Sequence, residues 1–428
     1  MTALQSAARE TQTVDNRWLT EVPADWSITR LRFICDVVTG SGDTQDAEPA
    51  GEYDFYVRSP IPLRSTDFTF DTEAVLTAGD GAVGEVFHHV RGKFHAHQRV
   101  YVLSNFRDVL PRYFFYYFSS FFRLMAQDGS ARTTVDSVRR WMLTDMPFVL
   151  PQPDEQRTIA DYLDHETAQI DALVAKQEEL IRHLEERRLA FITTTALTGL
   201  DDEEAGEHDL SRWGSSLAVE PWLARAPRSW GTERFKTVCL AREERNLAGT
   251  ELMLSLTVKG HLIDRSSMAI QQNASDASIP RYFVARPGDL VVNPMWLIGG
   301  AIGVSDKRGA VSPDYRVFEI AEVLDPWYLH AVLRSAPYFD QYRLYTRSNT
   351  TFDRRIKQND LDNLPIPIPP LDEQRAIVEH IDDQTSRIDA LIAKAEEHIA
   401  LAKERRSALI TAAVIPLAIY TFGLAVAM

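Results

Sequence analysis

Cysteine is scarce in this chain, with two among 428 residues. That number excludes a disulfide-stabilised scaffold and is typical of a reducing cytoplasm, which is the compartment we expect. Residues 1–16 contain no apolar run, so we predict no signal peptide. A nucleotide-binding phosphate loop is also missing, because the glycine-rich segment 79–84 lacks the Gly-Lys-Ser/Thr ending.

Positive charge is in deficit, since 46 lysine and arginine residues face 61 aspartate and glutamate residues, for a net charge of −15. The deficit is uneven: residues 151–220 carry 6 basic and 17 acidic residues, whereas residues 221–370 carry 19 and 16. The acidic run at 201–207 predicts a solvated linker. Because an acidic chain can still expose a basic face, this composition does not exclude a nucleic-acid partner.

The chain contains a duplicated segment. Residues 154–193 align without gaps onto residues 372–411 at an offset of 218, and 22 of the 40 positions are identical. The segments that precede the two copies correspond more weakly. This order predicts two variable domains at 1–150 and 221–370, helices at 151–200 and 371–415, an acidic linker at 201–220 and an apolar C-terminal tail at 416–428.

The two repeated segments predict long helices. Each lacks glycine and proline, follows a proline-rich stop and places Asp-Glu in its first turn, where the helix dipole favours carboxylates. Apolar residues recur at heptad spacing, which favours an antiparallel coiled-coil pair over two helices that pack separately on their own domains. The predicted stripe comprises Leu163, Ile170, Leu173, Leu180, Leu184 and Phe191, with Ile381, Ile388, Leu391 and Leu409 in the second copy.

The variable domains have a mixed α/β pattern, in which short β-rich runs alternate with turns. The aromatic run at 113–122 is too short to cross a bilayer, so we predict a buried helix. Cys35 and Cys239 occupy equivalent positions in the two copies and are predicted to be apolar core residues.

A basic stretch follows the predicted aromatic helix in each variable domain. Arginine near Asn, Gln and Thr is the combination that recognises phosphates and base edges. The candidate DNA-binding residues are Gln98, Arg99, Arg132, Thr133, Thr134, Arg139 and Arg140 in the first copy, and Tyr315, Arg316, Arg347, Asn349, Thr350, Thr351, Arg354, Arg355 and Lys357 in the second.

Several motifs resemble the specificity subunits of Type I restriction-modification systems. They are PIPIPPLDEQRAIV at 365–378 with its echo PQPDEQRTI at 151–159, and IDALVAK at 170–176 with IDALIAK at 388–394. Each IDAL motif is followed by Glu-Arg-Arg and then Ile-Thr. The resemblance covers nearly the whole chain, and its specific part is the duplicated helix.

The resemblance implies two target recognition domains of mixed α/β type, joined by two long antiparallel coiled-coil helices in a pseudo-twofold unit. Each domain would bind one half of a bipartite site in double-stranded DNA, and the helices would set the spacing and dock two methyltransferase (modification) subunits. Restriction subunits are a further partner that the family allows. The subunit itself would perform no catalysis and hold no metal, with S-adenosylmethionine, ATP and magnesium bound only on partner subunits.

Two other functions remain open from the residues alone. The first is a stand-alone DNA adenine methyltransferase or nuclease, because Asn293-Pro294-Met295-Trp296 partly matches a methyltransferase motif, although a strand-end turn explains it equally. The second is a coiled-coil scaffold that binds only protein. His88, His89, His95 and His97 suggest either a zinc site or a surface loop. The apolar tail predicts docking on the first domain rather than a membrane anchor.

Overall fold

The computed structural model describes residues 10–14, 19, 21–127, 137–200, 217–267, 278–346 and 355–415. They form two compact units. The first comprises the described residues of Met1–Glu178 and Glu397–Met428, and the second comprises those of Glu179–Glu396. Both units mix helices with short strands, as the sequence predicts.

The described residues up to position 200 contain twelve strands and four helices. The strands are β1 (Thr11–Thr13), β2 (Glu21–Pro23), β3 (Ser27–Arg30), β4 (Asp36–Thr39), β5 (Tyr53–Tyr56), β6 (Leu63–Ser65), β7 (Phe70–Asp71), β8 (Ala74–Ala78), β9 (Phe87–Val90), β10 (Lys93–Ala96), β11 (Val100–Ser104) and β12 (Pro147–Leu150). The helices are α1 (Leu31–Ile34), α2 (Pro111–Gln127), α3 (Arg140–Thr144) and α4 (Pro153–Thr198).

The described residues after position 216 contain ten strands and six helices. The strands are β13 (Gly231–Arg234), β14 (Cys239–Ala241), β15 (Leu254–Leu256), β16 (Leu262–Asp264), β17 (Phe283–Ala285), β18 (Leu290–Val292), β19 (Ile302–Val304), β20 (Gly309–Val311), β21 (Arg316–Ile320) and β22 (Pro365–Ile368). The helices are α5 (Glu220–Leu223), α6 (Phe235–Val238), α7 (Pro326–Leu333), α8 (Ala336–Thr346), α9 (Gln358–Asp362) and α10 (Leu371–Val414).

The two units share two of their sheets, although their sequences are only weakly similar. A four-stranded sheet of order β4-β11-β8-β9 in the first unit corresponds to β14-β21-β18-β19 in the second. A two-stranded sheet, β12-β3 or β13-β22, lies just before each long helix. The duplication therefore includes the variable domains as well as the helices.

The aromatic segment of α2 forms the centre of the first core, as predicted. Its aromatic side chains recur three and four residues apart, so they line one side of the helix. Tyr113, Phe114, Tyr117, Phe118, Phe121 and Phe122 are all fully buried. Cys35 packs in the same core, and its burial raises the pKa of the thiol to about 12. Cys239 is likewise buried in the core of the second unit.

A buried glutamine attaches each variable domain to its long helix. In the first unit the Gln156 amide accepts a hydrogen bond from Leu110 N (2.7 Å) and donates to Asp108 O (3.2 Å) and Pro151 O (3.0 Å). The neighbouring Glu155 accepts a 2.7 Å hydrogen bond from the Trp26 indole. These contacts join the domain to the first turn of α4.

The second unit repeats this attachment. Gln374 accepts from Asp325 N (2.7 Å) and donates to the carbonyls of Val323 and Pro369, both at 2.9 Å. Glu373 accepts from the Trp230 indole at 3.0 Å. The Asp-Glu-Gln-Arg motif therefore has a structural function in both copies.

The long helices pair in antiparallel fashion, as predicted. Within the first unit, Arg406 Nε lies 2.9 Å from Asp171 Oδ1, and Lys403 Nζ lies 3.8 Å from Glu178. Higher numbers on α10 thus meet lower numbers on α4. Within the second unit, Arg188 Nε donates to Asp389 Oδ1 at 2.9 Å. The two ion pairs are equivalent. In the first the arginine lies on α10 and the aspartate on α4, and in the second the arginine lies on α4 and the aspartate on α10.

The buried stripe of the helices corrects the predicted one at three positions. Leu163, Ile170, Leu184, Ile381 and Ile388 are buried, and Phe191 and Leu409 are partly buried against the two cores. Leu173, Leu180 and Leu391 are instead exposed, at 47%, 44% and 54%. The stripe alternates steps of three and four residues, so the less exposed positions are their neighbours Val174, Ile181 and Ile392.

Each core also receives the end of the other repeated helix. Val414 and Ile415, at the end of α10, are fully buried in the core of the first unit. Ala196 and Leu197, at the end of α4, are fully buried in that of the second. The apolar tail at 416–428 lies outside the described residues. Among the described helices, none is long and apolar enough to cross a membrane.

Replacing Gln374 by alanine tests the glutamine attachment. The change leaves one buried N–H and removes two further hydrogen bonds, so we expect a loss of about 2–3 kcal/mol and a lower thermal midpoint by scanning fluorimetry. Gln169→Ala is the matched control, because Gln169 is exposed and its amide is hydrogen-bonded to His165 of its own helix. Equal midpoints for the two variants would contradict the structural function assigned to Gln374.

Candidate nucleic-acid interface

One junction of backbone segments occurs in both units and contains the predicted arginines. In the first, the amide of Val138, just before α3, donates to Gly79 O after β8 at 2.7 Å. In the second, the amide of Ile356, before α9, donates to Pro294 O after β18 at 3.0 Å. Positions 138 and 356 differ by the repeat offset of 218, so the two junctions are equivalent.

The first junction neutralises its own arginines. Asp80, next to Gly79, accepts from Arg99 Nη1 at 2.7 Å and from Arg58 Nη1 at 2.9 Å. Burial alone would raise the pKa of the Asp80 carboxyl, but the hydrogen bonds from both arginines outweigh it and lower that pKa. Arg99 is therefore held in place by an internal counterion.

The second junction places Arg316 in a different environment. Arg316 begins β21, and its Nη2 donates to Ile356 O at 3.2 Å. Its Nη1 is buried and has no hydrogen-bond partner in the part of the chain that the structure describes. Burial, and then the charge of Arg355, lower the pKa of Arg316. Arg355 itself is exposed and lies 4.0 Å from Asp314.

Tyr315 and the Asn-Pro-Met-Trp motif lie at this same junction. Tyr315 is hydrogen-bonded to Asn293, and burial raises the pKa of its phenol. The amides of Met295 and Trp296 donate back to Asn293 at 3.1 and 3.2 Å, which makes the motif a strand-end turn. Trp296 is 60% exposed.

The remaining predicted residues divide into two groups. Gln98, Arg139, Arg140 and Lys357 are exposed; Arg140 begins α3, and Arg139 and Lys357 precede α3 and α9. The others lie outside the described residues: Arg132, Thr133, Thr134, Arg347, Asn349, Thr350, Thr351 and Arg354. Both undescribed segments end just before the junctions.

The prediction did not include Arg58, which shares Asp80 with Arg99, or the exposed Trp296. Arg58 follows β5, which belongs to a different sheet from Arg99, so no sequence pattern relates the two. The exposure of Trp296 could have been suspected from the position of the motif directly after an apolar strand.

The four histidines belong to strands and their ends, so the predicted surface loop is wrong. His95 and His97 are buried; Thr69 Oγ1 lies 3.1 Å from His95 Nδ1, and the Arg99 amide donates to His97 Nδ1 at 3.1 Å. Burial lowers the pKa of His97. Across the described residues, no group of three or more His, Cys, Asp or Glu side chains is arranged to hold a metal ion.

The fold and the paired junctions define a duplicated protein, in which two α/β units share sheets and a backbone junction and contain two long antiparallel helices. Residues 23–182 and 338–400 match the model of a protein family whose description is "Type I restriction modification DNA specificity domain". These segments cover about half of the chain, and the chain belongs to this family of specificity subunits.

Named relatives agree with this assignment. The chain is 23% identical over 380 residues to the Type I restriction enzyme EcoDI specificity subunit of Escherichia coli, covering 87% of this chain and 84% of that one. It is 22% identical over 314 residues to the Type I restriction enzyme EcoBI specificity subunit of the same species, and the match covers 69% of this chain and 63% of that one. The fold is shared with a chain from a structural study of complex assembly and conformational transition of the type I R-M system, with a TM-score of 0.57 and 18% identity. The match covers 92% of this chain and 98% of that one.

Proposed function

We propose that each recognition domain binds one half of a bipartite site in double-stranded DNA. The observation that carries this proposal is the pair of equivalent junctions, because the same backbone contact is surrounded by different side chains. Asp80 and Arg99 occupy one junction, and Met295 and Arg316 the other. Two domains of one fold with different side chains would bind two half-sites of different sequence.

The long helices would set the spacing between the half-sites. Within each unit, an arginine of one helix pairs with an aspartate of the other, Arg406 with Asp171 and Arg188 with Asp389. This repeated pairing fixes the register in which the helices pack. A fixed register would restrict the DNA that fits both domains to one spacer length.

The helices would also dock two modification subunits. Leu173 and Leu391 are equivalent positions of the IDAL motifs, and both are exposed beside charged residues. Two equivalent apolar positions suit two copies of one partner. In this proposal the chain performs no chemistry, and its partners bind S-adenosylmethionine, ATP and magnesium.

The bipartite site can be tested by methylation of a random duplex library. The chain assembled with its modification subunits should methylate adenines in two short motifs separated by a constant spacer. The chain alone, supplied with S-adenosylmethionine, should transfer no methyl group. A continuous target motif, or transfer by the chain alone, would contradict the proposal.

The double variant Arg139→Ala/Arg140→Ala tests the first half-site. Both arginines are exposed at the start of α3, so removing them should reduce the salt dependence of DNA binding by about two ion equivalents. Fluorescence anisotropy of the complex at several salt concentrations measures this slope. Arg157→Ala/Arg182→Ala is the control, because those exposed arginines pair with carboxylates of their own helix. An unchanged slope would exclude the α3 surface from the interface.

Aspartate at Leu173 and Leu391 tests partner docking. Each single variant should retain one modification subunit, and the double variant none, because a charge at an apolar contact opposes its burial. Native mass spectrometry of the co-purified complex gives the stoichiometry. Leu401→Asp is the control, since this exposed leucine of α10 corresponds to His183 and has no leucine counterpart on α4. Two bound subunits in the double variant would place docking elsewhere.

A further inference from the structure

Each junction carries one exposed tryptophan. Trp141, in the first turn of α3, comes three residues after Val138, whose amide donates to Gly79 O at 2.7 Å. Trp296 comes two residues after Pro294, whose carbonyl accepts the equivalent hydrogen bond of the second unit at 3.0 Å. The two side chains are 62% and 60% exposed. Most of a large apolar ring is therefore left in water at each junction.

The two tryptophans come from opposite sides of the same backbone contact. Trp141 follows the residue that donates the hydrogen bond, whereas Trp296 follows the residue that accepts it. At the repeat offset of 218, Trp141 corresponds to Asn359, and the residues at 80–81 that follow Gly79 include no tryptophan. Neither tryptophan is therefore part of the repeated sequence. Side chains that differ between the units at an equivalent place are available for recognising different half-sites.

The backbone of both tryptophans is held in place. The carbonyl of Trp141 accepts a hydrogen bond from Asp145 N at 3.0 Å. The carbonyl of Trp296 accepts from the amides of Gly299 and Ala301, at 3.0 and 3.1 Å. An aromatic side chain has few rotatable bonds, so on a fixed backbone it loses little conformational entropy when a ligand covers it. Both rings are thus prepared for a contact that the chain itself does not supply.

Cations beside the tryptophans indicate which partner covers them. The exposed pair Arg139-Arg140 directly precedes Trp141. Exposed Arg355 and Lys357 stand on either side of the residue whose amide closes the junction of Trp296. Guanidinium and ammonium groups bind phosphates, and an aromatic ring beside them packs against bases. An apolar protein surface would instead bury these cations without counterions.

We propose that Trp141 contacts bases of the first half-site and that Trp296 contacts bases of the second. This inference rests on the proposed function and names the apolar contact of each recognition domain. The cations at each junction bind phosphates and supply affinity for any sequence, whereas the rings contact base surfaces and discriminate between sequences.

Single alanine variants of the complex with modification subunits test the two assignments separately. In methylation of a random duplex library, Trp141→Ala should relax the sequence of one half of the split motif and leave the other unchanged, and Trp296→Ala should do the reverse. Affinity for the cognate duplex should fall about tenfold in each variant. The salt slope should stay the same, because an uncharged ring displaces no counterions. Fluorescence anisotropy at several salt concentrations measures both quantities.

Trp327→Ala is the matched control for the loss of an exposed tryptophan. Trp327 is 44% exposed, but it lies in α7 at the glutamine attachment and not at a junction. Its amide donates to the side chain of Asp325, and the amide of Asp325 donates to Gln374. This variant should bind and select DNA like the unaltered complex. Thermal midpoints show that each of the three variants folds.

Three results would overturn the inference and leave the bipartite function intact. A variant that selects both halves of the motif with unaltered affinity would exclude its tryptophan from the interface. Equal losses on cognate and non-cognate duplexes would show a contact with the DNA backbone instead of the bases. Loss of a modification subunit from the variant complex, measured by native mass spectrometry, would show a contact with protein. Failure of the unaltered complex to select any split site would instead overturn the proposed function.

Discussion

The fold depends on one buried polar contact that occurs twice. Gln156 and Gln374 each satisfy one backbone amide and two backbone carbonyls at the point where a recognition domain meets its helix. A side chain of other shape or charge would leave these buried groups unpaired. Because the contacts go to main-chain atoms, they do not depend on the side chains of the loop they hold, and the recognition domains can differ in sequence while their attachment stays the same.

The same logic explains which parts of the sequence repeat. Several residues that recur at the offset of 218 make the same contact in both copies. Asp171 and Asp389 pair with the arginines of the ERR motifs, and Glu155 and Glu373 accept hydrogen bonds from tryptophan indoles. Each recognition core is completed by the end of the other repeated helix. The repeated residues therefore specify the architecture, and the unrepeated ones are available for recognition.

The sequence predicted the architecture better than the interface. Periodicity and the repeat located the helices, the aromatic core and the mixed α/β domains, because each rests on local patterns. The sequence prediction assigned Leu173, Leu180 and Leu391 to the buried stripe, although they are exposed. Hydrophobicity alone does not distinguish a leucine in the stripe from a leucine one residue beside it. The prediction also assigned Arg99 and Arg316 the same role, although the strand registers align Arg316 with Tyr101: Arg316 lies opposite Val292 as Tyr101 lies opposite Thr77. Each donates a hydrogen bond to the equivalent carbonyl, that of Ile356 or Val138.

Net charge is therefore a poor guide to where this protein binds DNA. The acidic excess of −15 includes a surplus of eleven acidic residues in residues 151–220, a segment that contains no residue of either junction. At the first junction, Asp80 accepts hydrogen bonds from both Arg58 and Arg99, whereas at the second the Arg316 guanidinium donates to the carbonyl of Ile356. Two domains of one fold thus carry different charged side chains around the same backbone contact.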